Sequence, residues 1–467
     1  MKIRYLWLCL FLSCSAPKIT KEDVALQQSW VDYLVESENM HVHFWKTFKD
    51  WDLNRLIEMA YLQNFDLQIA KKQVETARFE RLIKKSELYP QLDFQGAVSQ
   101  SRVSPSDPFI PLLTAFNNKV NFFQFGFDAI WQLDFWGKIQ DATRAKLYEM
   151  KALNYAKNMT QVIVFADLAS AYLELRYTQQ EKHILCHLID VVKKITELQK
   201  LRFCAGFENE LNFLEAQILT TTFEEKLYQV EKEERLLIYQ IATLTSKNPN
   251  TLLWLLEPKS LPKNLHILPL SFPSTLLKKR PDILEKELLI QAALNNLSAA
   301  KKELFPSFSI PLSYGRESDL FPSLYSAKST FWSYGINLLA PLFHGGKIKA
   351  NIKANNQRYL QAVLEYKKTI QDATREVEDH LITFTKEKEK LFSVEKALLF
   401  QQKKFALYQD RFDTGLENGL NTFTAMQKTY ETQIQKLQIE KAITQEVIAL
   451  YKAFGGGWEV PPTQLAP

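Results

Sequence analysis

The sequence predicts a mostly α-helical protein with a β-barrel part, in which a unit of helix, β-hairpin, very long helix and return helix occurs twice. Three observations carry this reading. Lys138–Ala205 and Lys347–Thr414 each begin at a Gly-Lys step and contain neither glycine nor proline, so each can run as one helix of about 100 Å at a rise of about 1.5 Å per residue. Their ends align without a gap: Arg202-Phe203-Cys204-Ala205-Gly206-Phe207-Glu208-Asn209-Glu210-Leu211-Asn212 matches Arg411-Phe412-Asp413-Thr414-Gly415-Leu416-Glu417-Asn418-Gly419-Leu420-Asn421, the mark of a duplicated chain. From Phe123 to Phe135 every odd position is apolar and all but one even position is polar or glycine, the period of a strand with one oily and one wet face.

Composition sets the outer limits. A chain of 467 residues with 46% hydrophobic and 24% charged residues is ordinary folded protein, long enough for more than one domain. The net charge of +5 is modest, and Lys and Glu are interleaved along the long helices. That pattern is a solvated helix face and argues against nucleic-acid binding, which needs a clustered basic patch.

Taken in order, residues 1–13 carry Lys2 and Arg4 and then the apolar run Tyr5–Leu12, an export signal too short to anchor in a bilayer. Cys14 follows directly and resembles the bacterial lipobox cysteine that becomes an acylated N-terminus; the alternative is a simple cleaved signal beside an incidental cysteine. Multiple acyl chains would hold the chain at a membrane. Cys186 and Cys204 would sit about 27 Å apart on one helix and cannot pair. His183, Cys186 and His187 share a helix face, but no fourth metal ligand is evident and an ordinary helix surface explains them.

Residues 14–50 read as an irregular segment closed by Trp45 and Phe48. The first repeat, 51–248, opens with a helix that stops at Tyr89-Pro90, since proline disfavours helix in the residue before it. A hairpin over about 91–135 follows, with Leu92–Val103 and Phe123–Phe135 as strands and the proline-rich Ser104–Lys119 as its loop. The long helix 138–205 and return helix 207–248 complete the repeat. After an inter-repeat segment, 249–275, the second repeat, 276–454, has a hairpin over about 307–342, a long helix 347–414 and a return helix 420–454. Residues 455–467 form a tail. The second hairpin is seven residues shorter than the first, a deletion of the kind that loops tolerate. Leu185, Leu188, Val192 and Ile195, with Leu237, Ile241 and Leu244, step as bundle or coiled-coil seams do.

Four strands with one apolar face cannot close a barrel, which begins at about eight strands; three copies would supply twelve. In such a barrel Gln124, Asp128, Gln132 and Asp134 face an aqueous lumen, while Phe123, Phe125, Phe127, Trp131 and Trp332 face lipid. A sandwich core would also be rich in aromatics, though it needs neither an export signal nor helices of this length.

Several stretches then carry a family resemblance: Leu276-Leu277-Lys278-Lys279-Arg280-Pro281-Asp282-Ile283 with Glu287 and Phe305-Pro306-Ser307; Ala340-Pro341-Leu342-Phe343-His344-Gly345-Gly346; Trp131–Gly137; Asn64-Phe65-Asp66-Leu67; and Leu450–Trp458. In their order along the chain they resemble the outer membrane efflux protein family, and within it the lipoprotein branch of the channels that serve multidrug pumps. The resemblance implies a homotrimer, with a 12-stranded outer-membrane β-barrel continued by a 12-helix periplasmic α-barrel and belted by the irregular segments. It implies partners too: a periplasmic adaptor, an inner-membrane transporter and the lipid bilayer, with no cofactor and no catalysis. The turns at Gly206 and Gly415 would form the periplasmic aperture. Glu208, Glu210, Asp413 and Glu417 make it acidic, and rings of carboxylates favour cations; the plainer reading is that these charges solvate turns. Leu211 and Leu420 would lie there as well, Leu420 as an apolar constriction. Family tips place an acid before alanine on the return helix; Glu215-Ala216 keeps this, while Thr424-Ala425 departs from it. The alternatives are the channel of a type I protein secretion system and, in another class, a periplasmic coiled-coil or adaptor protein.

Overall fold

The computed structural model describes residues 44–102, 119–262, 279–456 and 458. The expected signal peptide, Cys14 and much of the expected belt lie outside these residues. The described chain forms two compact units, one of residues 73–102, 119–153 and 286–366, the other of residues 44–72, 154–262, 279–285, 367–456 and 458.

The elements come in matched pairs. Helix α1 (Trp51–Gln63) and α2 (Phe65–Ser86) precede strands β1 (Gln91–Arg102) and β2 (Lys119–Leu133), then α3 (Lys138–Cys204) and α4 (Glu210–Leu244). The second half runs α5 (Pro281–Lys302), β3 (Ser307–Ser318), β4 (Thr330–Tyr334), β5 (Asn337–Leu339), α6 (Lys347–Asp413) and α7 (Gly419–Ala453). Both long helices have 67 residues, both return helices 35, and α2 and α5 have 22 each.

In the strand-bearing unit the sheet order is β1-β2-β3-β4, all antiparallel, with β5 also on β3. The fourth stave is thus one strand interrupted at Gly335-Ile336. The hydrophobic pattern fixes the register, because a slip of one residue would exchange the two faces. Phe94, Phe127, Tyr314 and Trp332 lie side by side in one row across all four staves. The adjacent row, on the opposite face, is Asp93, Asp128, Ser313 and Ser333.

The helical unit is built around α3, whose Phe165, Leu168, Tyr172 and Leu175 are buried. The segment before α1 docks on this core: Phe44 stacks on Tyr451 at 4.8 Å and Trp45 meets Phe165 edge-on at 5.1 Å. Asp50 caps α1 through the Leu53 N–H at 2.9 Å and accepts the Tyr172 hydroxyl at 2.9 Å. Further along, Leu185, Leu188 and Val192 pack with Phe223 and Val230 of α4, so the expected seam is a real interhelical contact.

Candidate functional site

Two places could carry function: the sheet with its unlike faces, and the paired turns where the long helices reverse.

On the sheet, the aromatic face is uncovered. Trp332 is 67% and Tyr334 75% exposed, and contiguous exposed apolar side chains mark a surface that meets something other than water. Gln124, Asp128 and Gln132 stand on the other face, opposite Glu317, Ser313 and Ser309 of β3. Asp128 accepts a hydrogen bond from Gln95 across the strand. Gly126 and Gly315 face each other on this polar side, and a Cβ on Gly315 would lie 2.5 Å from the Phe125 carbonyl oxygen.

Asp134 departs from expectation. It lies beyond the end of β2, and its carboxylate accepts the Ile139 N–H at 3.0 Å and the Gln140 N–H at 2.8 Å. It is an N-terminal cap of α3, satisfying amides that have no helical partner and complementing the positive end of the helix dipole. A capping carboxylate and a lumen carboxylate look alike in a period-2 pattern.

The two helix reversals are built alike. Gly206 and Gly415 take φ of +76° and +74°, the left-handed conformation that closes a helix C-terminus and that glycine adopts without steric cost. Phe207 N–H bonds the Arg202 carbonyl at 2.9 Å and Leu416 N–H the Arg411 carbonyl at 2.8 Å. Asn209 and Asn418 then cap the return helices by accepting the Asn212 and Asn421 N–H groups. The acids here do more than solvate a turn: Glu208 pairs with Arg202 at 2.9 Å and accepts from Asn212. Glu417 accepts from the Asn421 side chain and the Asn418 N–H, and these bonds, with Arg411 nearby, hold its pKa below the ordinary carboxylate value.

The other expected tip residues divide. Glu210, Leu211, Glu215 and Asp413 are exposed. Leu420, expected as an apolar constriction, is half-buried and packs on the cluster of Val191, Ile195 and Ala216, because α7 lies against α3 there. Thr424 spends its hydroxyl on the Leu420 carbonyl at 2.8 Å. Ala216 and Ala425 are buried, so the alanine after each of Glu215 and Thr424 is a packing requirement.

Comparison with known proteins reads this geometry. The profile of the outer membrane efflux protein family matches residues 56–236 and 272–456. The chain belongs to the outer membrane efflux protein family. It is 30% identical over 429 residues to the solvent efflux pump outer membrane protein SrpC of Pseudomonas putida, covering 88% of this chain and 87% of that one. It is 26% identical over 432 residues to the cation efflux system protein CusC of Escherichia coli, covering 89% and 88%. Among solved structures, the fold matches the Campylobacter jejuni CmeC outer membrane channel with a TM-score of 0.84 at 22% identity, over 96% of each chain. It also matches the open-state MtrE outer membrane channel of Neisseria gonorrhoeae at 0.80 and 20% identity, over 95% of this chain and 98% of that one.

In this efflux protein the Arg-Pro-Asp stretch has a clear structural task. Buried Arg280 bonds Asp282 at 2.7 Å, Glu376 of α6 at 2.7 Å and the Ala453 carbonyl at the end of α7 at 2.8 Å. Gly455 (φ +69°) passes so close that a Cβ would sit 2.9 Å from Arg280 Cα. In the first repeat Asn64 takes the same place: its side chain donates to the Leu244 carbonyl at 2.8 Å and accepts from Leu67 N–H at 3.0 Å. Ser246, at φ 51°, stands where Gly455 does and receives the Phe65 N–H. Sequence reasoning missed this pair because Asn and Arg differ in size and charge; what they share, an N–H donated to the last carbonyl of a return helix, shows only in the fold. It also missed Arg176, fully buried on α3, which donates to Gln179 at 2.8 Å and the Glu257 carbonyl at 2.9 Å and lies over the Tyr172 ring.

Proposed function

We propose that three copies of this chain form the outer membrane channel of a tripartite efflux system, a passive duct carrying small molecules outward and catalysing no reaction. One observation carries the reading: a four-stave sheet with an uncovered aromatic face, a polar opposite face and, among the described residues, no strand paired to the outer edges of β1 and of β4 with β5. Open edges inside a bilayer would leave backbone amides unpaired, so such a sheet spans only as part of a closed barrel. Three copies give twelve staves, an even number. Gln124, Asp128 and Gln132 would then line the water-filled bore. The SrpC and CusC names point to efflux, of solvents and of cations respectively, and leave the compound carried here to the pump.

In the same reading the exposed residues around Gly206 and Gly415 meet a periplasmic adaptor, which couples the duct to an inner-membrane transporter. Acylated Cys14 would tether the chain to the outer membrane, with most of its mass in the periplasm. The test begins with fractionation: heat-resistant trimers in outer-membrane fractions and ion conductance in planar bilayers are the expected results. A soluble monomer without conductance would end the proposal. Deletion should sensitise cells to toxic small compounds; loss of a secreted protein with unchanged sensitivity would transfer the channel to protein secretion.

A further inference from the structure

The two repeats differ at the foot of the sheet. Where Asp134 stands before α3, the second repeat has Phe343, and the first turn of α6 contains no acidic residue. Lysines gather there instead: Lys347, Lys349 and, a turn later, Lys353, with His344 beside them. Among the described residues none of the four has an ion-pair partner, whereas the nearby Lys138 pairs with Glu303 at 3.3 Å and Lys302 with Asp141 at 2.6 Å. Two acids stand close by, Asp134 and Glu303, but both are engaged, Asp134 by the α3 amides and Glu303 by Lys138 and the Asn351 side chain, so these lysines have no acid of their own and an external anion relieves their repulsion.

The same stretch carries uncovered hydrocarbon. Leu342 and Phe343 are 94% and 88% exposed, next in the chain to the exposed Leu338 and Leu339 of β5. Beside them is a cavity lined by Phe135, Trp136, Pro341, His344 and Lys347. Unpaired cations, interfacial aromatics and bare aliphatic surface thus meet in one unit, and the ligand that answers all three has a negative headgroup joined to acyl chains.

We propose that this foot of the sheet binds an anionic phospholipid, its phosphate against His344, Lys347 and Lys349 and its chains over Leu342 and Phe343. The proposal rests on the barrel reading, which puts the helix starts at the periplasmic leaflet. The full chain, extracted in mild detergent, is exchanged into mixed micelles of phosphatidylglycerol and phosphatidylcholine, and retained lipid is counted by native mass spectrometry. Phosphatidylglycerol should be retained preferentially. Lys347→Gln with Lys349→Gln should lower that preference about fivefold per lysine removed, with heat-resistant trimer unchanged. Inorganic phosphate should not displace the lipid; displacement at millimolar phosphate would identify a plain anion site and overturn the lipid assignment. Equal retention by wild type and variant would also overturn it, while leaving the channel intact. Loss of the trimer in the double variant would assign the patch to a contact between copies and overturn it too. Absence of trimer in the wild type would instead refute the barrel reading.

Discussion

Replacing Gly315 by alanine tests the sheet most directly. Gly126 and Gly315 are register partners on β2 and β3, and each leaves room that the other's backbone occupies. A Cβ on Gly315 would meet the Phe125 carbonyl oxygen at 2.5 Å, Gly126 Cα at 2.8 Å and the Phe331 ring at 2.9 Å; one on Gly126 would meet the Tyr314 carbonyl oxygen at 2.6 Å. The closest of these atoms belong to the backbone, so no rotamer change relieves the overlap, and the two strands must part by several tenths of an ångström. Overpacking of this kind costs about 1–3 kcal/mol, and a weakened ladder bond adds about 1 kcal/mol, so Gly315→Ala should lose roughly 2–4 kcal/mol. The sheet supplies its own controls. A Cβ on Gly96 would meet only the Gln124 carbonyl oxygen at 3.8 Å, and one on Gly335 nothing within 4 Å; their alanine variants should differ from wild type by less than about 0.5 kcal/mol, as ordinary surface substitutions do. Heat-modifiability on gels and urea unfolding in detergent would read the difference. Equal stability of Gly315→Ala and Gly96→Ala would refute the close-approach argument.

Other consequences can be checked in the same assays. Arg280→Met leaves Asp282, Glu376 and the Ala453 carbonyl without their shared donor and should cost about 3–5 kcal/mol, with faster amide exchange around Phe454–Gly456; adding Glu376→Gln should recover part of it. Asp134→Ala removes the α3 cap and should cost about 1 kcal/mol, whereas Asp128→Asn, which keeps its bond to Gln95, should leave stability unchanged. His380 donates its Nδ1–H to the Glu446 carboxylate at 2.8 Å, and that bond raises its pKa above the ordinary 6.5. The pair therefore stabilises the α6–α7 contact fully below about pH 6.5 and loses that contribution as pH rises through the higher folded value; melting curves between pH 6 and pH 9 should show a decline that Glu446→Gln abolishes. Gly206→Val should lower helix-tip stability by forcing a β-branched residue into φ of +76°, a cost of about 1–3 kcal/mol.

What the sequence made legible was periodicity. Phe123–Phe135 alternates because successive side chains of a strand point to opposite faces, and the glycine steps at Gly137, Gly206, Gly346 and Gly415 punctuate the long helices, each glycine taking positive φ. What stayed hidden was the partner of each polar side chain. Asp134 fits the polar phase of the strand and yet caps a helix, since the chain leaves the sheet one residue earlier. The packing of Leu420 was hidden as well, because nothing local announces that Val191 and Ile195 come to meet it. The Arg280 and Asn64 anchors lie 173 and 180 residues from the carbonyls they hold, and no local pattern reports contacts of that span.

The construction of the two helix reversals has a consequence for recognition. Each closes on itself through a left-handed glycine, an asparagine cap and an arginine–glutamate pair, so its shape is settled before anything arrives. A protein that docks there need not freeze a floppy loop and forfeits little disorder on contact. Engagement should therefore be that of two finished surfaces, governed by how quickly they separate.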